Sequence, residues 1–291
     1  MTSHHKIGCS VQLCNVFRNL LKLPISGYNT TGCDVLSFCY KLSEKNITLT
    51  GHSSYVAKII ELKNSIGCGS IRLASCSYDK TIKIWDLNDN QCLQTLTGHT
   101  ESVTNIIELK NGLLVSCSVN GIIKIWDLNG INKCCQTLMG DIDCETNIIE
   151  LKNTPEYDIR IASCNIGGTI KIWGLNGNYY QMDTNHSSSI RRIIELKNKQ
   201  IATCNIYGTI KIWDLNGKCC QTIIGTYWMD HIIELKNGQI ATRSGGRKIE
   251  LWNLNSGKCC QEFIGHTCNI IELKTGQLAS CSYGKTIKIW G

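Results

Sequence analysis

Thr81-Ile82-Lys83-Ile84-Trp85-Asp86 decides the fold, because the chain keeps returning to it. Ile-Lys-Ile-Trp ends again at Trp126, Trp173, Trp213 and Trp290, and the variant Ile-Glu-Leu-Trp ends at Trp252. Successive tryptophans are 41, 47, 40, 39 and 38 residues apart. Upstream of each copy stands Ile-Ile-Glu-Leu-Lys, at 59–63, 106–110, 148–152, 193–197, 232–236 and 270–274. Between the two strings runs Leu/Ile-Ala-Ser/Thr-Cys or a close relative, as at 73–76, 161–164, 201–204 and 278–281. Each unit reads as four short strands: a around Ile59-Ile60, b at 73–76, c at 81–85 and d at 92–96. Asn-Gly and Lys-Asn-Gly turns, as at 120–121, 110–112 and 236–238, divide them.

A four-stranded unit of about 40–45 residues has the period of a propeller blade. Gly-His pairs at 51–52, 98–99 and 265–266 precede strand a, and Trp-Asp pairs at 85–86, 126–127 and 213–214 close strand c. On these motifs residues 46–291 resemble the WD-repeat (Trp-Asp repeat) family. The resemblance implies an all-β propeller, four-stranded blades around a central channel, used mainly as an interaction platform.

The blade count rests on the N-terminal residues. The last unit stops at Trp290-Gly291, after strand c. An open edge there is an aggregation hazard, so an N-terminal segment is expected to supply the fourth strand. Aligning Asn19-Leu20-Leu21-Lys22-Leu23 on Asn269-Ile270-Ile271-Glu272-Leu273 sets Cys9 opposite Cys259 and Leu13 opposite Phe263. The expectation is a single domain, 1–291, of seven blades. Residues 8–14 are its closing strand, 15–50 a degenerate first blade and 51–291 six clear repeats. Six blades, closed by 46–50, is the alternative.

The 19 cysteines and seven histidines invite a metal or redox reading, which their positions oppose. No Cys-x-x-Cys occurs. Cys76, Cys117, Cys164, Cys204 and Cys281 form one strand-b column, and Cys92, Cys134, Cys135, Cys219, Cys220, Cys259 and Cys260 cluster at the start of strand d. A thiol recurring at one register of every blade is expected to be a small buried packing group. The Cys-Cys doublets are the exception, where a partly exposed thiol has scope to be redox-reactive. No cofactor and no metal is expected.

The resemblance further implies a buried tetrad of Gly-His histidine, strand-b Ser/Thr, b–c turn Asp and strand-c Trp. Only His52, Ser75, Asp79 and Trp85 supply the full set; the other units carry Asn120, Gly167, Tyr207, Gly246 and Gly284 in place of Asp. A stability below that of a consensus propeller follows.

Family members bind partners at the mouth formed by the d–a and b–c turns. The residue before the Asp position reads Tyr78, Val119, Ile166, Ile206, Gly245 and Tyr283, an apolar column suited to an interface. Lys58, Asn105, Asn147, Arg192, His231 and Asn269, each before the first Ile of strand a, are expected to surround it with polar groups. The Glu and Lys of each Ile-Ile-Glu-Leu-Lys string read as self-compensating charges on a solvated surface.

No apolar run approaches the roughly 20 residues of a membrane span, and no signal-like core follows the N-terminus. A cytoplasmic protein, with the nucleus as alternative, is the expectation. The net charge of +7 is spread in columns. The reading is therefore a non-enzymatic, monomeric scaffold or adaptor for proteins or peptides, without a membrane partner. The alternatives are a nucleic-acid- or chromatin-associated propeller, weakened by the absence of a basic patch interleaved with aromatics, and a propeller enzyme, for which no carboxylate pair or nucleophile–base set stands outside the columns.

Overall fold

The computed structural model describes residues 48–63, 71–129, 133–140, 145–152, 159–186, 188–245, 247–265, 270–281 and 287–291. Within them the six repeats form six separate antiparallel sheets. The first holds β1 (Val56–Leu62), β2 (Arg72–Ser77), β3 (Ile82–Asp86) and β4 (Gln91–Leu96). The second holds β5 (Val103–Glu108), β6 (Leu114–Ser118), β7 (Ile122–Asp127) and β8 (Lys133–Met139). The third holds β9 (Glu145–Leu151), β10 (Arg160–Asn165), β11 (Thr169–Gly174) and β12 (Tyr179–Asp183). The fourth holds β13 (Ile190–Glu195), β14 (Ile201–Asn205), β15 (Thr209–Trp213) and β16 (Cys219–Ile224). The fifth holds β17 (His231–Glu234), β18 (Ile240–Ser244), β19 (Lys248–Asn253) and β20 (Lys258–Ile264). The sixth has three described strands, β21 (Ile270–Glu272), β22 (Leu278–Cys281) and β23 (Ile287–Trp290). The closing strand at 8–14 and nearly all of the degenerate blade at 15–50 lie outside the described residues. No described helix is long and apolar enough to cross a membrane.

Strand order in every sheet follows the chain, so a–b, b–c and c–d are hairpins and successive a strands lie side by side. Strand b is covered on both faces, which is why it reads as a continuous small-and-apolar run: Leu73 to Ser77 are all buried. Strand d is outermost, and Gln91, Cys92 and Leu93 are exposed.

The strand-c tryptophan joins one sheet to the one before it. Trp126 packs among Ile82, Ile84 and Leu96 of the first sheet; Trp173, Trp213 and Trp252 repeat this against the second, third and fourth. Trp85 has Leu49 as its counterpart, beside Leu73 and Leu87.

A second link between sheets was not legible in the sequence. The backbone N–H of Lys63 donates to Glu108 Oε2 at 2.7 Å. Lys110 N donates to Glu150 at 3.0 Å and Lys152 N to Glu195 at 2.7 Å. Lys197 N donates to Glu234 at 2.8 Å and Lys236 N to Glu272 at 2.9 Å. All five junctions between the six sheets thus carry the same clasp, from the end of one strand a to the glutamate of the next. The Lys197 and Lys236 side chains add to it, with Nζ donating to Leu235 O (2.7 Å) and Leu273 O (3.0 Å). The Glu108, Glu150, Glu195, Glu234 and Glu272 carboxylates and the Lys197 and Lys236 ammonium groups are structural, and for these the reading of a merely solvated Glu/Lys surface is corrected. Ile149, Ile194 and Ile233 with Glu150, Glu195 and Glu234 line a cavity of about 630 Å³ at this end of the a strands.

The cysteine columns divide. Cys76, Cys117, Cys164 and Cys204 are buried, whereas Cys92, Cys135, Cys219, Cys220, Cys259 and Cys260 are exposed because strand d has no outer neighbour. Burial as a packing group therefore describes the strand-b thiols and not the strand-d ones.

Candidate functional site

The b–c and d–a turns lie together at one end of the strands. There, Tyr78 N donates to Tyr55 O at 2.8 Å, and their rings meet edge-on with centroids 5.3 Å apart. Beneath them stands the tetrad. His52 Nδ1 lies 2.7 Å from Asp79 Oδ2, and His52 Nε2 lies 2.8 Å from Ser75 Oγ, which also receives Trp85 Nε1–H at 2.7 Å. Asp79 accepts two more N–H bonds, from Ser53 (3.0 Å) and Thr81 (2.9 Å), and the Thr81 hydroxyl at 2.6 Å. Burial alone would raise the Asp79 carboxyl; the bonds from Thr81, His52 and Ser53 outweigh it and hold the group at about 2.

Elsewhere the tetrad is partial in a regular way. The Trp-to-Ser/Thr bond persists in all six sheets, at 2.7–2.9 Å. Histidine joins it at His99–Ser116 (2.7 Å) and His186–Thr203 (2.9 Å). Without Asp beside them, His99 Nδ1 and His186 Nδ1 are buried with no hydrogen-bond partner. Asn120, which stands where Asp would, instead accepts from Ser118 Oγ and donates to Thr100 Oγ1. Burial, then Lys124, pulls His99 down to about 4; burial, then Lys211, does the same to His186.

Of the apolar column, Tyr78 and Ile166 are exposed, and Val119 and Ile206 half-buried; Tyr283 lies outside the described residues. Four neighbours enlarge this surface: Tyr55, Tyr207, Tyr227 and Trp228 are all exposed. Tyr207 and Tyr227 meet edge-on at 6.1 Å. Trp228 is 63% exposed and holds φ at 64°, a conformation costly for a bulky residue. Its N–H donates to Ile206 O, and Tyr227 O accepts from Gly245 N at 3.0 Å. A Cβ on Gly245 would fall 2.5 Å from Trp228 Cβ, so glycine there leaves room for the indole. The signal for these four was available in the sequence: aromatic residues in d–a turns, and a tyrosine at the Asp position itself.

The polar column lies deeper than a rim. Asn105 and Asn147 are buried, and Lys58, Arg192 and His231 half-buried. Lys58, Asn105, Asn147 and Arg192 share one register, opposite Cys76, Cys117, Cys164 and Cys204. A bulge immediately precedes each of the four, where the ladder is locally disrupted. Asn269 lies outside the described residues. Among those described, no group of three or more His, Cys, Asp or Glu is placed to hold a metal ion.

A search of curated proteins returns no match for the chain. The family model described as WD domain, G-beta repeat, matches residues 43–86, 90–127 and 257–291. These are the three stretches that contain a Gly-His pair, and the sheets between them repeat the same strand order, Trp-to-Ser/Thr bond and clasp. Those three matches, with the architecture that the sheets between them share, support a WD-repeat family for the chain.

Proposed function

We propose that the protein is a non-enzymatic scaffold that binds other proteins at the face formed by its b–c and d–a turns. Two exposed aromatic groups there carry the reading, Tyr55 with Tyr78 and Tyr207 with Tyr227 and Trp228. Tyr55, Tyr78, Tyr207, Tyr227 and Trp228 project from short, hydrogen-bonded turns, and a strained tryptophan in the open is of use to a partner more than to the core. WD repeats in general mediate protein–protein interaction. The charge supports a protein partner over nucleic acid: Lys83, Lys124, Lys197, Lys211 and Lys236 spend their ammonium groups on internal acceptors. Affinity capture followed by mass spectrometry tests the face. Tyr78→Ser with Tyr227→Ser is expected to lose the recovered partners while the melting temperature stays unchanged. Undiminished recovery would remove this face as the site.

For the architecture, the reading is a ring of seven blades in which residues 8–14 pair with β23. Ile287 and Ile289 on β23 are 66% and 52% exposed and await such a strand. In that alignment Lys22 takes the position of Glu272 and Pro24, which has no N–H, that of Lys274. The clasp lapses at both junctions of the seventh blade, so closure there rests on strand pairing. Deleting residues 1–14 should cost cooperativity and solubility. A chain lacking residues 1–45 that unfolds as sharply as the full one would establish six blades, with Lys274 N–H donating to Glu61.

A further inference from the structure

Just inside the aromatic face, bulges on β1 and β13 immediately precede Lys58 and Arg192, which are half-buried and at one register. They stand on the first and fourth of four successive, neighbouring a strands, with Asn105 and Asn147 at the same register between them, and Arg192 acts electrostatically on Lys58. Neither forms an ion pair with a described carboxylate. Lys58 Nζ donates to the neutral Asn105 Oδ1 at 2.6 Å. Arg192 Nε donates to the backbone carbonyl of Asp230 at 3.3 Å, while the Asp230 carboxylate is taken by Arg243, through Nε at 2.6 Å and through Nη2. His231 adds no charge, since burial and then Arg192 push it down to about 3. Two like charges held together away from bulk water raise each other's energy, and a bound anion relieves both at once.

We propose that Lys58 and Arg192, with Asn105 and Asn147 beside them, form a pocket for the carboxylate of an Asp or Glu side chain, presented by an extended acidic segment of a partner protein whose flanking apolar residues rest on Tyr55, Tyr78, Tyr227 and Trp228. The inference rests on the reading of this face as the protein-binding one and adds the chemistry of its ligand. Lys58 stands three positions after Tyr55, roughly 10 Å at the rise of an extended chain, a depth that side chains reaching from both partners bridge. The guanidinium fork of Arg192 suits bidentate carboxylate binding, and its Nη groups meet no described acceptor. Charge complementarity therefore favours an acidic peptide over an apolar one.

The test uses immobilised short peptides with Glu fixed at the centre of otherwise random apolar and polar positions, and a matched set with Gln. The full-length protein should be retained on the Glu set about tenfold more strongly, in line with a charge-assisted contact. Lys58→Met with Arg192→Met should erase that preference, while Tyr78→Ser with Tyr227→Ser should weaken retention on both sets. A measurement on the unaltered protein guards against misfolding of the double variant. Burial, then Arg192, pulls Lys58 down to about 8, with the thiols of Cys76 and Cys117 beside it acting in the opposite sense. A carboxylate bound next to it raises it again. Calorimetric titration of a Glu-centred peptide at pH 8, in two buffers of different ionisation heat, should show proton uptake, and affinity should fall as pH rises further.

Equal retention of the Glu and Gln sets, or binding without proton uptake, overturns the pocket. If the tyrosine variants still lower retention in that case, the face stands and its acidic ligand does not. Salt-sensitive capture of a single-stranded oligonucleotide through Lys58 and Arg192, with no preference between the peptide sets, overturns it too.

Discussion

Between pH 6.5 and pH 4 the protein should lose much of its folding stability. Three half-buried or buried histidines set this. His99 and His186 are held at about 4 and His231 at about 3, against 6.5 for a free imidazole. In each case burial is the main cause, followed by a facing cation: Lys124, Lys211 and Arg192 respectively. A folded-state value below the unfolded one means that the native protein keeps these rings neutral while the unfolded chain takes up protons. Their contribution is therefore fully present above 6.5 and drains away as pH falls toward the folded values. Summed over the three rings, the loss by pH 5 is on the order of 5 kcal/mol, comparable with the whole stability of many domains. Urea unfolding midpoints from pH 7 to pH 4 measure it directly; a midpoint flat across pH 7 to 5 would contradict it. Asn120→Asp offers a carboxylate to the orphaned His99 Nδ1. This variant should be more stable at pH 7 by about 1 kcal/mol and should lose less in acid.

The costliest single polar substitution is expected to be Asp79→Ala, at about 3 kcal/mol. Four donors converge on this carboxylate: His52 Nδ1, Ser53 N, Thr81 N and Thr81 Oγ1. Removing it strands the histidine and two backbone N–H groups at once, and an unmade buried bond costs more than a made one contributes. Its pH window differs from that of the histidines. With the folded carboxyl at about 2 against 3.8 for a free one, its contribution is intact above about 4 and disappears only as pH falls toward 2. Asp79→Ala should thus lower the unfolding midpoint equally at pH 7 and pH 5. A loss under about 1 kcal/mol, or one that shrinks between those values, would show that the b–c turn carries its own donors.

The six units, the four-strand order described in five of them and the tryptophan positions were legible because a blade repeats its local chemistry at a fixed period. The complete tetrad was legible for the same reason, since each member occupies its own place in the repeat. Depth was not. Nothing in the spacing of Lys58 or Arg192 tells that a bulge precedes it or that it is half-buried. The clasp was hidden because its partners sit two positions apart in every string, Glu61 and Lys63, Glu108 and Lys110, and so look like neighbours neutralising each other. The bond joins different sheets and uses the lysine's backbone, which a side-chain pattern does not display. The strand-d thiols misled in the opposite direction: a recurring position looked like a packing position, yet the outermost strand buries little. Tyr55, Tyr227 and Trp228 escaped notice because they lie in turns of unequal length, where no column lines them up.

The clasp also bears on how such a chain can change its length over evolution. Each of the six clear repeats brings one acceptor, its glutamate, and one donor, the N–H two residues later, and the bond is handed on in a single direction. A whole unit copied into the gene, or dropped from it, leaves every remaining donor facing an acceptor of the same kind. Partial units break the chain of bonds at the cut. Gain and loss should therefore proceed by entire blades, and the number of blades is the property this architecture leaves free to drift.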